Sequence, residues 1–76
     1  MPSGAQVLCV DNEDSILIGM SSLLTRWGCQ VWTARNREEC ERWLAQGGRP
    51  QLALVDFHLD DGETGTELMA WLRTRL

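Results

Sequence analysis

The sequence predicts an α/β protein built on a parallel β-sheet, and three observations support that fold class. Two short apolar runs, Gln6–Val10 and Leu52–Val55, have the length and composition of strands that are covered on both faces. A segment with helically spaced apolar residues follows each predicted strand, so the element order is βαβαβα. Strands that alternate with helices in this way pair in parallel through right-handed crossovers.

The first predicted unit joins the strand Gln6–Val10 to a helix that Gly28 ends. The apolar stripe of this helix, which we expect to face the sheet, consists of Ile16, Leu17, Met20, Leu23, Leu24 and Trp27. A short lead, residues 1–5, precedes the strand and is expected to be flexible.

The second unit begins with Gln30–Ala34, which is β-branched and aromatic and is typical of a strand near the sheet edge. Asn36 and Glu39 then have the spacing of a capping box, which predicts the start of a helix. The glycine pair Gly47 and Gly48 ends that helix. Its predicted buried side is formed by Cys40, Trp43 and Leu44.

The third strand, Leu52–Val55, is predicted to be as deeply buried as the first. A loop, Phe57–Glu63, follows it, and Thr64 with Glu67 repeats the capping-box spacing before the third helix. We expect this helix to run to the end of the chain. Its apolar positions are Leu68, Met69, Leu72 and Leu76.

Length, composition and charge exclude several classes of protein. A chain of 76 residues has room for one domain, and 43% hydrophobic with 24% charged residues is typical of a soluble globular protein. The net charge is −4, and all seven positive residues are arginines scattered along the chain, so we expect no direct nucleic-acid binding. Without a leader or a membrane-length apolar run, we expect a cytoplasmic segment that makes no membrane contact.

Three cysteines, Cys9, Cys29 and Cys40, give an odd count without C-x-x-C spacing. This pattern fits neither a disulfide framework nor a zinc site. Cys9 lies in an apolar run, where a reduced cysteine behaves as a small buried hydrophobe. A metal site that added His58 to the thiols would need a fold that gathers four scattered residues, so we do not favour it.

Two aspartates, Asp11 and Asp56, each follow directly after a buried strand of the same type. Ligands of open α/β sheets bind outside the carboxyl ends of the strands. If strand one lies between strands two and three, the two carboxylates come side by side, where a hard cation such as Mg²⁺ relieves their repulsion. The simpler alternative is that Asp11 and Asp14 cap the first helix and Asp56 starts a turn. We favour the joint functional interpretation.

Three segments of the chain resemble the receiver domains of two-component response regulators and of hybrid sensor histidine kinases. They are V-L-C-V-D-N-E at Val7–Glu13, L-L-T-R-W-G-C at Leu23–Cys29, and L-A-L-V-D-F-H-L-D-D-G-E-T-G at Leu52–Gly65. The resemblance extends from Val7 onward. It implies a flavodoxin-like, doubly wound parallel sheet with strand order 2-1-3 over residues 1–76. Since the family continues through two further strand and helix units, we expect the receiver fold to be incomplete here.

The resemblance also implies a role for each residue of the site. Asp56 is the expected phosphoryl acceptor in a two-component phosphorelay, supplied by the phosphohistidine of a histidine kinase or a histidine phosphotransfer domain. The expected Mg²⁺ ligands are Asp11, Asp56 and the backbone carbonyl of His58. Asn12 stands where many family members carry a second acid, and either Asn12 or Glu13 is a candidate for one more ligand oxygen.

Departures from the family pattern leave a second function open. Asn12 replaces a common acid, and the sequence contains no lysine, although the family uses a lysine to contact the phosphoryl group. The alternative to phosphorylation is therefore a pseudo-receiver, which keeps the fold and acts as a protein interaction module. The outer edge of the third strand has no predicted partner strand, so we also expect that edge to pair with a second copy of the chain.

Enzymatic alternatives are weaker. We do not expect this segment alone to be an enzyme, whereas a hybrid histidine kinase that contained it would be one. A phosphatase of the haloacid dehalogenase type would carry a second aspartate two residues after its nucleophile, where this chain has His58. A nucleotide-binding or flavin-binding domain would need a G-x-G-x-x-G or Walker loop after the first strand, and the sequence has neither.

Overall fold

The computed structural model of the protein describes residues 4–56 and 64–75. The elements alternate in the predicted order, and all three strands have the predicted bounds. They are β1 (Gln6–Val10), α1 (Asp14–Arg26), β2 (Gln30–Ala34), α2 (Arg37–Ala45), β3 (Leu52–Val55) and α3 (Gly65–Arg75). The end of the chain at Leu76, the whole predicted loop at residues 57–63 and residues 1–3 of the predicted lead lie outside the described residues. Ala5 of that lead is buried in the core, and its carbonyl accepts a hydrogen bond of 2.8 Å from the Gln30 N–H.

The three strands form a parallel sheet in the order β2-β1-β3, which confirms the predicted order 2-1-3. Leu8 of β1 lies opposite Trp32 of β2 and opposite Ala53 of β3. The central strand β1 is thus hydrogen-bonded along both edges, and β2 lies at a sheet edge, as its composition predicts.

The core consists of two layers, one on each face of the sheet. Val7 and Cys9 of β1 pack with Leu17 and Leu24 of α1. The alternate residues of β1, Leu8 and Val10, point to the other face, because successive side chains of a strand alternate. They pack there with Cys40 of α2 and with Leu68 and Leu72 of α3. One helix on one face and two on the other make the fold doubly wound.

Cys9 occupies the predicted buried position and is 0% exposed. Burial in this apolar layer raises the pKa of the Cys9 thiol, because the charged thiolate would lose its solvation there. The thiol therefore stays neutral and acts as a packing group at physiological pH.

Two of the burial predictions were wrong. β3 is only half-buried, and Leu52 is 40% exposed, because this strand pairs along one edge only within the described part of the chain. The predicted apolar stripe of α1 was too wide, since only Leu17 and Leu24 are buried in that helix. Leu23 and Trp27 are 45% and 59% exposed, because among the described elements α1 is the sole helix on its face of the sheet.

The predicted caps of α2 and α3 are present. The Asn36 side-chain oxygen Oδ1 accepts a hydrogen bond of 2.9 Å from the backbone N–H of Glu39. Glu39 Oε1 in return accepts from the backbone N–H of Arg35, one residue earlier than in the usual reciprocal pair. At α3 the box is complete, because Thr64 Oγ1 accepts from the Glu67 N–H while Glu67 Oε1 accepts from the Thr64 N–H, each at 3.1 Å.

Glycines end α1 and α2, as the sequence predicts. Gly28 has a φ of 88° and Gly47 a φ of 99°, a left-handed conformation that side chains with a Cβ rarely adopt. The turn after α1 is closed by a hydrogen bond of 3.0 Å from the Cys29 N–H to the Leu24 carbonyl. The turn after α2 is closed in the same way, from the Gly48 N–H to the Trp43 carbonyl.

We expect Asn36→Ala to lower the free energy of unfolding by about 1 kcal/mol, because the Glu39 N–H loses its capping acceptor. Urea denaturation followed by circular dichroism measures the change. The matched control is Ser22→Ala, at an exposed position inside α1, which should change stability by less than about 0.5 kcal/mol. Equal effects of the two substitutions would show that the cap does not stabilise α2.

Two glycine substitutions should have opposite effects on the free energy of unfolding. Gly19→Ala should raise it by about 0.5 to 1 kcal/mol, since Gly19 lies inside α1 and a Cβ there meets open space. Gly48→Ala should lower it by about 1 to 3 kcal/mol, because the new Cβ would overlap the ring of Trp43. Thermal unfolding of both variants measures the contrast, and a stabilising Gly48→Ala would contradict the packing described here.

Candidate functional site

The carboxyl edge of the sheet holds both candidate aspartates on neighbouring strands. The Asp56 backbone N–H donates a hydrogen bond of 2.8 Å to the Val10 carbonyl, and the Asp11 N–H donates one of 3.1 Å to the Ala34 carbonyl. Val10 itself lies opposite Val55 in the register of β1 and β3. The two aspartates are therefore the first residues after paired positions, and the backbone ladder fixes both of them at one edge.

Asp11 has a local structural role as well as an edge position. Its Oδ1 accepts a hydrogen bond of 2.9 Å from the backbone N–H of Glu13. Glu13 is the N-cap residue of α1 and makes no side-chain cap of its own. Asp11 thus bonds the N-cap residue of α1 but is not itself the cap that the simpler alternative predicted. Among the described residues, no hydrogen bond occupies its second oxygen, Oδ2.

Among the described residues, Asp14 forms no three-acid group with Asp11 and Asp56. It lies in the first turn of α1, and its Oδ1 is 3.2 Å from Nε of Arg35. The same Nε is 4.0 Å from Oε2 of Glu39. Both side chains of the 3.2 Å pair are more than half exposed, so it contributes little to stability.

Arg35 is the residue of this region that sequence reasoning missed. It follows β2 directly, just as Asp11 follows β1 and Asp56 follows β3, so each of the three strands ends at a charged residue. Its position directly after a predicted strand is the sequence signal that could have identified Arg35. Arg35 also lines a groove of about 470 Å³ between α1 and β2, together with Asp14, Leu17, Ile18, Ser21, Ser22, Thr33 and Glu39.

The described residues offer oxygen donors of the type that Mg²⁺ prefers. Among them, no group of three or more acidic, cysteine or histidine side chains could hold a metal ion. Mg²⁺ does not require such a cage, because it keeps several waters and binds through one or two carboxylates. Asp11 and Asp56 match that donor set, and the thiols are buried elsewhere. The residues present therefore fit Mg²⁺ in kind.

The other predicted ligands lie at different places in the chain. Asn12 is half-buried and lies in the bend between β1 and α1, while Glu13 is exposed at the start of α1. The expected carbonyl ligand of His58 lies outside the described residues. Of the predicted set, the described part of the chain therefore brings Asp11 and Asp56 to one edge, with Asn12 and Glu13 directly after Asp11.

None of the described helices is both long enough and apolar enough to cross a membrane.

Two solved structures show the same fold at 21% sequence identity. One is a response regulator receiver domain protein from Clostridium thermocellum, with a TM-score of 0.80 over 92% of this chain and 56% of that chain. The other is a fusion protein that carries part of the yeast Spc42 trimeric coiled coil, with a TM-score of 0.85 over 97% of this chain and 50% of that chain. The chain thus spans about half the length of these structures.

A comparison with curated proteins gives no match. A family model for the response regulator receiver domain matches residues 7–76, which is nearly the whole chain and includes both strand-ending aspartates. The matched range agrees with the resemblance read from the sequence, and the sheet order agrees with the shared fold. The chain therefore belongs to the family of response regulator receiver domains.

Proposed function

We propose that this chain is the phospho-accepting module of a two-component phosphorelay and that Asp56 is the acceptor. The observation that carries the proposal is the place of Asp56. Its backbone N–H is bonded to the Val10 carbonyl, which holds the Asp56 backbone at the carboxyl edge of the sheet, next to the strand that Asp11 follows. Ligands of open α/β sheets bind at that edge.

In the proposed reaction, a carboxylate oxygen of Asp56 attacks the phosphorus atom of a phosphohistidine. A P–O bond forms, the P–N bond breaks, and the imidazole nitrogen leaves with the electron pair, so the product is an acyl phosphate on Asp56. Asp11, Asp56 and the His58 carbonyl would hold Mg²⁺, with Asn12 or Glu13 as a further oxygen ligand. Bound Mg²⁺ supplies positive charge that neutralises the phosphoryl oxygens. The protein itself positions the acceptor, Asp56.

The pseudo-receiver is the second candidate function, and one contact favours it. Asp11 Oδ1 is already used by the Glu13 N–H, and Asn12 adds no charge beside it. Both features reduce the negative potential that would attract a divalent cation. In this function the chain would act as a protein interaction module without accepting phosphate.

The proposed partners follow from the proposed reaction. They are a histidine kinase or a histidine phosphotransfer domain, and we propose a hybrid sensor histidine kinase as the parent protein. The proposed compartment is the cytoplasm, since an odd number of cysteines without a disulfide framework suits a reducing environment. Direct binding of nucleic acid or membrane by this segment is not part of the proposal.

Beryllofluoride, a phosphoryl mimic, should bind the chain in the presence of Mg²⁺ and should not bind Asp56→Asn, because the amide cannot form the acyl-phosphate-like adduct. Fluorine NMR measures the bound mimic directly. The matched control is Asp14→Asn, which removes an equal charge from a residue paired with Arg35 and should bind like the wild type.

Two results would distinguish the candidate functions. Equal binding of the mimic by the wild type and Asp56→Asn would contradict the acceptor assignment. Absence of mimic binding, together with tryptophan fluorescence that does not respond to Mg²⁺, would favour the pseudo-receiver.

Asp11→Asn should weaken Mg²⁺ binding by roughly tenfold or more, because the loss of even an outer partner of a metal site costs about that factor.

We further propose that the outer edge of β3 pairs with a second copy of this chain. Within the described residues that edge has no neighbouring strand. The strand sequence, L-A-L-V, contains no charge or proline of the kind that protects exposed sheet edges. Backbone donors and acceptors along such an edge are a template for a strand from another molecule.

Leu52→Lys should shift the chain from dimer to monomer, because a charge on an edge strand opposes edge-to-edge pairing. Size-exclusion chromatography with light scattering measures the oligomeric state. Leu23→Lys is the matched control, since Leu23 is 45% exposed and Leu52 is 40% exposed, but Leu23 lies on α1 away from the edge. A monomeric wild type, or equal loss of dimer in both variants, would contradict pairing through β3.

A further inference from the structure

The end of the α2–α3 layer that lies away from the aspartates carries a groove of about 380 Å³. The groove, which we call the arginine groove, is lined by Glu41, Leu44, Ala45, Arg49, Trp71 and Arg75. Helices of a parallel sheet run opposite to its strands, so the C-terminal ends of α2 and α3 lie at the amino edge. The hydrogen bond from the Gln51 N–H to the Gln6 carbonyl, just beyond Arg49, marks that edge.

Two arginines, Arg49 and Arg75, line this groove with Trp71, and Arg37 at the start of α2 contacts the Trp71 ring from outside the lining. The guanidinium carbons of Arg37 and Arg75 lie 4.7 Å and 5.2 Å from the ring centroid of Trp71, within the range of cation–π attraction. Arg49 lines the same groove as Arg75, and its Nη1 donates to the carbonyls of Gly48 at 2.6 Å and Leu44 at 3.3 Å. With Glu41 the sole acid of the lining, this region has a charge of opposite sign to the chain as a whole.

A structural role accounts for only part of this arrangement. Arg49 satisfies carbonyls at the end of α2, and cations at helix C-termini are favoured by the helix dipole. Arg75, however, is exposed and packs on Trp71. The lining also combines apolar surface from Leu44, Ala45 and Trp71 with the arginines, which a helix cap does not require.

We propose that the arginine groove binds an acidic peptide segment of a partner protein, in which an apolar side chain lies next to carboxylates. The apolar side chain would contact Leu44, Ala45 and Trp71, and the carboxylates would face Arg49 and Arg75. Planar guanidinium groups match carboxylates in geometry as well as in charge. A polyphosphate chain fits less well, because it brings a higher charge density to a molecule of net charge −4 and meets Glu41 in the groove.

The proposed site is independent of the phosphoryl-accepting edge. Asp11 and Asp56 follow the carboxyl ends of β1 and β3, whereas the arginine groove includes residues that precede β3 and residues at the end of α3. An occupant of the groove would therefore leave the aspartates accessible. Peptide binding should persist in Asp56→Asn. A failure of the groove proposal can therefore be distinguished from a failure of the phosphorelay proposal.

The test uses the full chain and a fluorescein-labelled synthetic peptide of alternating Glu-Glu and Leu-Leu pairs, with anisotropy as the readout. Arg75→Glu should weaken binding by roughly tenfold or more, the factor that corresponds to one charge-assisted hydrogen bond. Arg26→Glu is the matched control, because it makes the same charge change in the last turn of α1 on the opposite face of the sheet. It should change the affinity less than about twofold, as expected for a distant screened charge.

A second variant and two further ligands complete the test. Ala45→Glu places an acid at an exposed position of the groove without lowering helix propensity much, and it should also weaken peptide binding. A peptide with serine in place of leucine should bind more weakly than the leucine peptide. Equal weakening by Arg75→Glu and Arg26→Glu, or tighter binding of a single-stranded oligonucleotide than of the peptide, would overturn the proposal. So would the absence of peptide binding to the wild type.

Discussion

The side chains of β1 from Val7 to Val10 are at most 1% exposed, because this strand is paired along both edges and covered on both faces. Burying backbone polar groups requires that each finds a hydrogen-bond partner, and two parallel neighbours supply those partners. The alternation of the strand then assigns two side chains to each face. Because β1 presents buried side chains on both faces, helices cover both faces of the sheet. The central place of β1 also sets where the carboxyl edge of the sheet lies.

The central position of β1 also places the residues of the candidate site. Because β1 is central, the residues that follow its paired positions come to neighbouring places at one edge, and Asp11 and Asp56 are two of them. Arg35 follows β2 at the same edge and pairs with Asp14 and Glu39. In the strand order β2-β1-β3 the edge therefore carries Arg35, Asp11 and Asp56, with the two acids adjacent and the arginine outside them.

Local signals made much of this predictable from the sequence. Continuous apolar runs gave the bounds of β1 and β3, and the cap residues Asn36 and Thr64 marked two helix starts, because both signals act within a few residues. The exposure of Leu52 was not predictable in this way, since it depends on whether another strand covers the edge. The contacts of Arg35 with Asp14 and of Arg37 with Trp71 join separate elements, so only the packed fold reveals them.

The two core layers share no side chain, although both include residues of β1. The sheet backbone lies between them, so the packing of α1 against Val7 and Cys9 does not depend on how α2 and α3 meet Leu8 and Val10. Substitutions far apart and without shared partners have additive effects on stability. The helical surface on one face of this sheet can therefore be redesigned for a new partner while the layer on the other face keeps its packing.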